Sequence, residues 1–129
     1  MEIRKAVRQD WPEILRLIQM YPDTLVQDDL PRLNEFFVAV ENGKIVGCAA
    51  LEVYSQRMAE VRSVAVEHDS QNKGTGAALI DACVQDAEQR EIKQVLAITG
   101  RPEVFEKKGF GTFKGEKLAL LRTTKNKED

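Results

Sequence analysis

The segment Gln71-Asn72-Lys73-Gly74-Thr75-Gly76 sets two glycines one residue apart, just ahead of an apolar-periodic run that begins at Ala77. A Gly-x-Gly pair where a loop enters a helix frees backbone N–H groups to converge on one spot. The helix N-terminus adds about half a positive charge there. The chemistry this suits is the holding of a phosphate or pyrophosphate. The segment lacks the Gly-Lys-Ser/Thr ending and the upstream glycine of a P-loop, and it lacks the third glycine of the dinucleotide fingerprint. Spacing alone leaves an ordinary alternative open, in which the glycines only cap a surface helix. Nucleophilic chemistry finds little support: Cys48 and Cys83 sit inside apolar stretches that suit small buried side chains, and the single histidine, His68, falls in a loop. No Cys–His or Ser–His pairing stands out, and no metal is expected.

The elements that must position this loop follow from the periodicity around it. Glu2 to Val7 alternates polar and apolar residues and predicts a half-buried first strand. Asp10 stands as a helix N-cap with Pro12 and Glu13 behind it, and Ile14, Leu15, Leu17 and Ile18 follow at helical spacing. Tyr21 to Asn34 is less regular, broken by Pro22 and Pro31. Phe36 to Val40 reads as a strand that turns at Asn42-Gly43, a pair that tolerates the positive φ of a tight hairpin. Lys44 to Tyr54 is the return strand and Met58 to Val66 the next antiparallel partner. Gly74 to Arg90 predicts a long helix with Ala78, Leu79, Ala82, Cys83 and Ala87 on its apolar stripe. Val95 to Ile98 is a short strand, Pro102 to Lys108 a short helix stopped by Gly109-Phe110, and Leu118 to Leu121 a candidate closing strand. The crossover from Val66 through the long helix to Val95 forms a βαβ unit, which predicts parallel pairing of its two strands.

Three stretches together resemble the GNAT (Gcn5-related) N-acetyltransferases. Gln71, Gly74 and Gly76 match that family's Gln/Arg-x-x-Gly-x-Gly/Ala acetyl-CoA motif. Ala59-Glu60-Val61-Arg62-Ser63-Val64-Ala65-Val66 is similar to its fourth strand, and Phe105-Glu106-Lys107-Lys108-Gly109-Phe110 to its Phe/Tyr-x-x-x-Gly-Phe segment. The stretches from Phe37, Ile45, Ala59 and Thr99 are most like short, free-standing proteins of the N-acetylglutamate synthase type. The resemblance implies an α+β GNAT fold, with a mixed, mostly antiparallel twisted sheet of about six to seven strands and about four flanking helices. It also implies a single acetyltransferase domain over residues 1–122, followed by a charged tail at 123–129.

The same resemblance implies roles. Acetyl-CoA is the co-substrate, with its pyrophosphate on the amides of Gln71, Asn72, Lys73, Gly74, Thr75, Gly76 and Ala77 and its pantetheine arm beside Val64, Ala65 and Val66 like an added strand. Glu60 stands where family members often carry the carboxylate that deprotonates the amine, although Arg57 and Arg62 nearby equally suit a salt bridge. The Val64 N–H is the candidate oxyanion donor. Phe105 adjoins the cofactor at the position where many members have a proton-donating tyrosine. Arg62 and Arg101, with Lys107 behind them, are the guanidinium candidates for an acceptor carboxylate. Tyr21 to Asn34 forms the acceptor-side wall, and its Asp23, Asp28 and Asp29 would equally favour a cationic acceptor.

The balance of charge, 19 Lys+Arg against 21 Asp+Glu with a net charge of -2, argues against a nucleic-acid surface. No apolar run approaches the roughly 20 residues of a membrane span, and the N-terminus does not read as a signal peptide. Together with these exclusions, the resemblance implies a cytoplasmic enzyme acting on a small amine or amino acid, glutamate among the candidates. The alternatives are acetylation of another small amine or a protein N-terminus, and a non-catalytic acyl-CoA-binding module. Family members commonly dimerise, so a homodimer is compatible with this reading. A chain of 129 residues leads one to expect no appended kinase domain.

Overall fold

The computed structural model describes residues 1–112 together with Leu120 and Arg122. Its elements run β1 (Glu2–Lys5), α1 (Trp11–Gln19), β2 (Phe36–Glu41), β3 (Lys44–Val53), β4 (Met58–Val66), α2 (Thr75–Gln89), β5 (Gln94–Leu96) and α3 (Pro102–Glu106), with 3-10 turns at Arg8–Asp10, Leu33–Glu35 and His68–Ser70. The five strands lie in chain order across one sheet. β1 to β4 pair antiparallel, and β4 and β5 pair parallel through the α2 crossover, as the βαβ reading requires.

The sheet carries a helix layer on each face. Ile14, Leu17 and Ile18 of α1 pack with Phe36, Val38, Cys48, Ala50 and Ala65. Leu79, Ile80, Cys83 and Ala87 of α2 and Phe105 of α3 pack on the other face with Ala39, Ala49, Leu51, Ala59 and Val61. Consecutive residues of β3 thus serve opposite cores, which is why Val46 to Leu51 is apolar throughout instead of alternating. Both faces of the strand are dry. The β2–β3 turn has φ of +52° at Asn42 and +78° at Gly43, the positive pair expected of a two-residue hairpin.

Several expectations need correction. Among the described residues there are five strands and three α-helices, not six to seven and four; the proposed strand at Leu118 to Leu121 lies outside the described residues. β5 ends at Leu96 and α3 at Glu106, each two residues short of expectation. Asp10 stands at the N-cap position of α1, but its side chain makes no capping hydrogen bond to that helix. The 3-10 turn ahead of α1 already gives it helical dihedrals, so its side chain points back along the chain. There its carboxylate accepts the Val7 N–H at 2.7 Å and both guanidinium nitrogens of Arg4 at 2.8 and 3.1 Å, with 5% of the residue exposed. The Arg4 hydrogen bonds hold this carboxyl below its ordinary pKa.

Candidate active site

β4 is the spine of the site, and two departures from regular pairing shape it. First, β5 pairs with β4 only from Met58 to Glu60. Beyond Glu60 the two strands part, and among the described residues the β5-facing edge of residues 61–66 has no partner in the sheet. Second, the register with β3 slips: Ala50 faces Arg62 and Cys48 faces Ala65, so Ser63 and Val64 together oppose the single residue Ala49. This is a β-bulge, with Ser63 in the left-handed region at φ +58°. The bulge inverts the strand's alternation. Val61 points into the α2 core before it; Val64 and Val66 pack against that core after it, while Ala65 joins the α1 core. The Cys48 thiol donates to the Ser63 carbonyl at 3.5 Å beneath the bulge.

β4 runs out at Val66 into the His68–Ser70 turn and the glycine loop. Asn72 and Gly74 take φ of +65° and +84°, and Gly74 is the residue from which α2 starts. A Cβ at Gly74 would meet nothing within 4 Å, so its demand for glycine is one of backbone conformation, not of space. Left-handed residues at alternate positions turn successive amides toward a common concavity, and the α2 N-terminus points its dipole there. Thr75 is buried behind the loop while Gln71, Asn72 and Lys73 are exposed. Close packing sets the position of α2: a Cβ on Gly47 would lie 2.9 Å from the Leu79 Cδ1 and 3.2 Å from the Thr75 Cγ2.

The loop is tied to the other face of the sheet by Tyr21. Its hydroxyl donates to the Val66 carbonyl and accepts from Gln71 Nε2 at 2.6 Å. The His68 ring lies 5.4 Å from the Tyr21 ring, which gives the histidine a packing partner.

On the α1 side of β4, before the bulge, stand Glu60 and Arg62. Glu60 sits directly opposite Glu52 of β3, a like-charge pairing that must be compensated. Arg62 supplies one compensation, donating from Nη1 to Glu52 Oε1 at 2.6 Å, and the Tyr54 hydroxyl supplies another, donating to Glu60. Burial, then the Glu60 carboxylate, push the Tyr54 phenol well above its ordinary pKa, so it remains a donor. Arg62 also donates from Nη2 to the Asp29 carbonyl at 3.1 Å, clamping the Tyr21–Asn34 stretch to the strand. An open depression of about 370 Å³ lies beside this cluster, lined by Asp29, Leu30, Pro31, Arg32, Glu35, Glu52 and Val53. A larger one, about 530 Å³, lies between α1 and the β2–β3 turn, shares no lining residue with the glycine loop or Glu60, and is crossed by the Arg16–Glu67 ion pair at 2.7 Å.

The expected site residues therefore divide. Glu60, Arg62, Val64, Ala65, Val66 and the loop from Gln71 to Ala77 are brought onto one strand and its exit. Arg101 is not joined to them: 73% of its side chain is exposed and its Nε pairs with Glu103 within the same turn at 2.7 Å. Phe105 is core, stacked edge-to-face on Phe110 at 5.3 Å, and carries no hydroxyl. Cys48 and Cys83 are buried, and burial pushes both thiols up to about 12, far from thiolate chemistry at neutral pH. Sequence reasoning missed the bulge, Tyr21, Tyr54 and Glu52. The polar pair Arg62-Ser63 interrupting an alternating strand was a legible sign of the bulge; nothing local marks the other three.

The profile of the GNAT acetyltransferase domain matches residues 32–112. An amino-acid acetyltransferase of Mycobacterium tuberculosis is 33% identical over 121 residues, covering 88% of this chain and 70% of that protein. One from Pasteurella multocida is also 33% identical over 116 residues, but there the chain spans only 26% of the relative's length. A solved Mycobacterium tuberculosis structure in complex with CoA superposes with a TM-score of 0.80 at 31% identity, covering 87% of this chain and 75% of the other. N-acetylglutamate synthase from Neisseria gonorrhoeae, complexed with coenzyme A and N-acetyl-glutamate, superposes with a TM-score of 0.75 at 26% identity, covering 83% of this chain and 27% of that one. Parted strands, a bulged β4 and a glycine loop at the start of α2 thus come with relatives of one kind, and the chain belongs to the GNAT acetyltransferase family.

Proposed function

We propose that this acetyltransferase transfers the acetyl group of acetyl-CoA to the α-amine of an amino acid in the cytoplasm, with glutamate the first acceptor to test. The observation that carries the reading is the continuity of the parted β4 edge with the left-handed loop at the α2 N-terminus. The unpaired backbone of Val64 to Val66 suits an amide-bearing arm laid alongside as an extra strand. The loop amides and the exposed Lys73 suit a pyrophosphate. No side chain fills the concavity at Gly74 and Gly76, where an added Cβ would have no contact closer than 3.7 Å.

Acetyl-CoA supplies an activated acyl group with a good leaving group, so the protein needs no nucleophile of its own. Glu60 takes one proton from the acceptor ammonium, directly or through a water, and frees the amine to attack. The Val64 N–H, turned by the bulge, meets the carbonyl oxygen as negative charge gathers on it. The N–C bond forms as the C–S bond breaks, and the amine's second proton passes to the departing sulfur or to solvent. No tyrosine need protonate the thiolate at Phe105, because a thiol's pKa lies within about two units of neutral. Arg62, held by Glu52, offers an acceptor carboxylate only what its pairing leaves.

The test is thiol release from acetyl-CoA against a panel of amino acids and polyamines. Turnover with glutamate supports the reading. Turnover with polyamines alone moves the acceptor to a cation, a second reading favoured by the Asp29, Glu35 and Glu52 carboxylates around the acceptor-side depression. CoA binding with no turnover on any acceptor overturns catalysis.

A further inference from the structure

We propose that Tyr21 is a positioning residue that locks the cofactor loop and makes the root of the acceptor wall part of the CoA site; this rests on the acetyl-CoA reading above. One hydroxyl spends both its donor and its acceptor capacity on that site. It donates to the carbonyl of Val66, the last residue of β4, and accepts from Gln71 Nε2 at 2.6 Å, the first residue of the glycine loop. These two contacts reach 45 and 50 residues along the chain.

The loop has little else to hold it. Among the described residues its backbone bonds are Ser70 N–H to Glu67 C=O at 2.9 Å, Gln71 N–H to His68 C=O at a long 3.4 Å and, where the loop passes into α2, Ala78 N–H to Gly74 C=O at 2.9 Å; none is made by the N–H groups of Asn72, Lys73 or Gly74. Those amides are the ones the pyrophosphate would use. Tyr21 is in turn fixed from the wall side. Gln27 Nε2 donates to the carbonyls of Ile18 at 3.0 Å and Leu25 at 3.1 Å, closing the chain around Tyr21, and Arg62 holds Asp29 further along. The wall is thus pinned at one end to the cofactor loop and at the other to the strand that bears Glu60. Binding at the loop and ordering of the wall share one hydrogen-bonded joint, so each favours the other.

The experiment is a double-mutant cycle on CoA affinity, measured by calorimetry on the full chain for wild type, Tyr21→Phe, Gln71→Ala and the double variant, with thermal unfolding alongside. Each single change should weaken CoA binding by about 2- to 12-fold, the range of one net hydrogen bond. The double variant should be no weaker than the poorer single, because the second change removes a contact already lost. In steady state Tyr21→Phe should raise the KM for acetyl-CoA while kcat stays within about twofold of wild type. Fold changes that multiply, or wild-type affinity in Tyr21→Phe or in Gln71→Ala, would overturn the proposal. Gly76→Leu separates the two levels. If it retains CoA, the acetyl-CoA site itself is misassigned; if it loses CoA while Tyr21→Phe binds normally, only the positioning role fails.

Discussion

The two ends of β4 are built from different materials. From Val64 to Gly76 the site is mainly backbone: a strand edge unpaired among the described residues, a left-handed turn and a helix terminus, with one side-chain tie, Gln71 to Tyr21. From Glu52 to Arg62 it is side chain: two carboxylates opposite one another, a guanidinium and a phenol that satisfy each other. Under the proposed assignment, the cofactor end should tolerate exchange of most of its side chains but not of its dihedrals, whereas at the acceptor end one charge cannot be removed without stranding another.

That contrast can be broken in order of expected effect. Gly76→Leu fills the concavity and should abolish CoA binding measured by calorimetry; its nearest new contact, Val66 Cγ2 at 3.7 Å from the Cβ, leaves room for the fold to survive. Unaltered affinity would mean the cofactor end is not made of backbone. Glu60→Gln should lower kcat by about 10²- to 10⁴-fold at neutral pH and leave CoA affinity unchanged. A drop in CoA affinity instead would show that the two ends are not separable.

Arg62→Met comes next. It leaves Glu52 and Glu60 facing without a cation and frees the Asp29 carbonyl, so the KM for the acceptor should rise about tenfold, the size of one charge-assisted hydrogen bond. Adding Glu52→Gln should restore part of the loss, and steady-state kinetics on both variants decides it. The smallest effect lies outside the site. Asp10, held below its ordinary pKa chiefly by Arg4, contributes stability that is fully present above its unfolded pKa of about 4 and is lost as pH falls through the lower folded value. Asp10→Asn should therefore unfold at lower temperature than wild type at pH 7, with the gap shrinking below pH 4. A gap independent of pH would show that the Arg4 pair carries none of it.

Much of the cofactor end was legible because its signals are local. Met58 to Val66 was bounded correctly by flanking polar residues, and the glycine spacing marked the start of α2 within one residue. Gly74 at φ +84° is the conformation its residue type invites. The acceptor end was legible only as a collection of charged residues. Arg62 read as a guanidinium for an acceptor carboxylate or as a partner of Glu60, yet register places it next to a strand whose Glu52 claims it at 2.6 Å. Glu60 read as a candidate base or as the partner of a nearby arginine, and its hydrogen-bond partner is Tyr54, beyond the β3 terminus. Asp10 carried every mark of an N-cap, and a preceding 3-10 turn and Arg4 redirected it.

By itself, then, the order of residues determined the sheet, the crossover and the loop, since periodicity, turn chemistry and glycine placement act over a few residues and need no distant partner. Only the tertiary structure decided where β4 parts from β5, where it bulges, and which side chains of β3 and of the Tyr21–Asn34 wall meet it. Those outcomes depend on strand register and on contacts between residues as far as 50 apart, and a slip of one residue would present the opposite face of the strand.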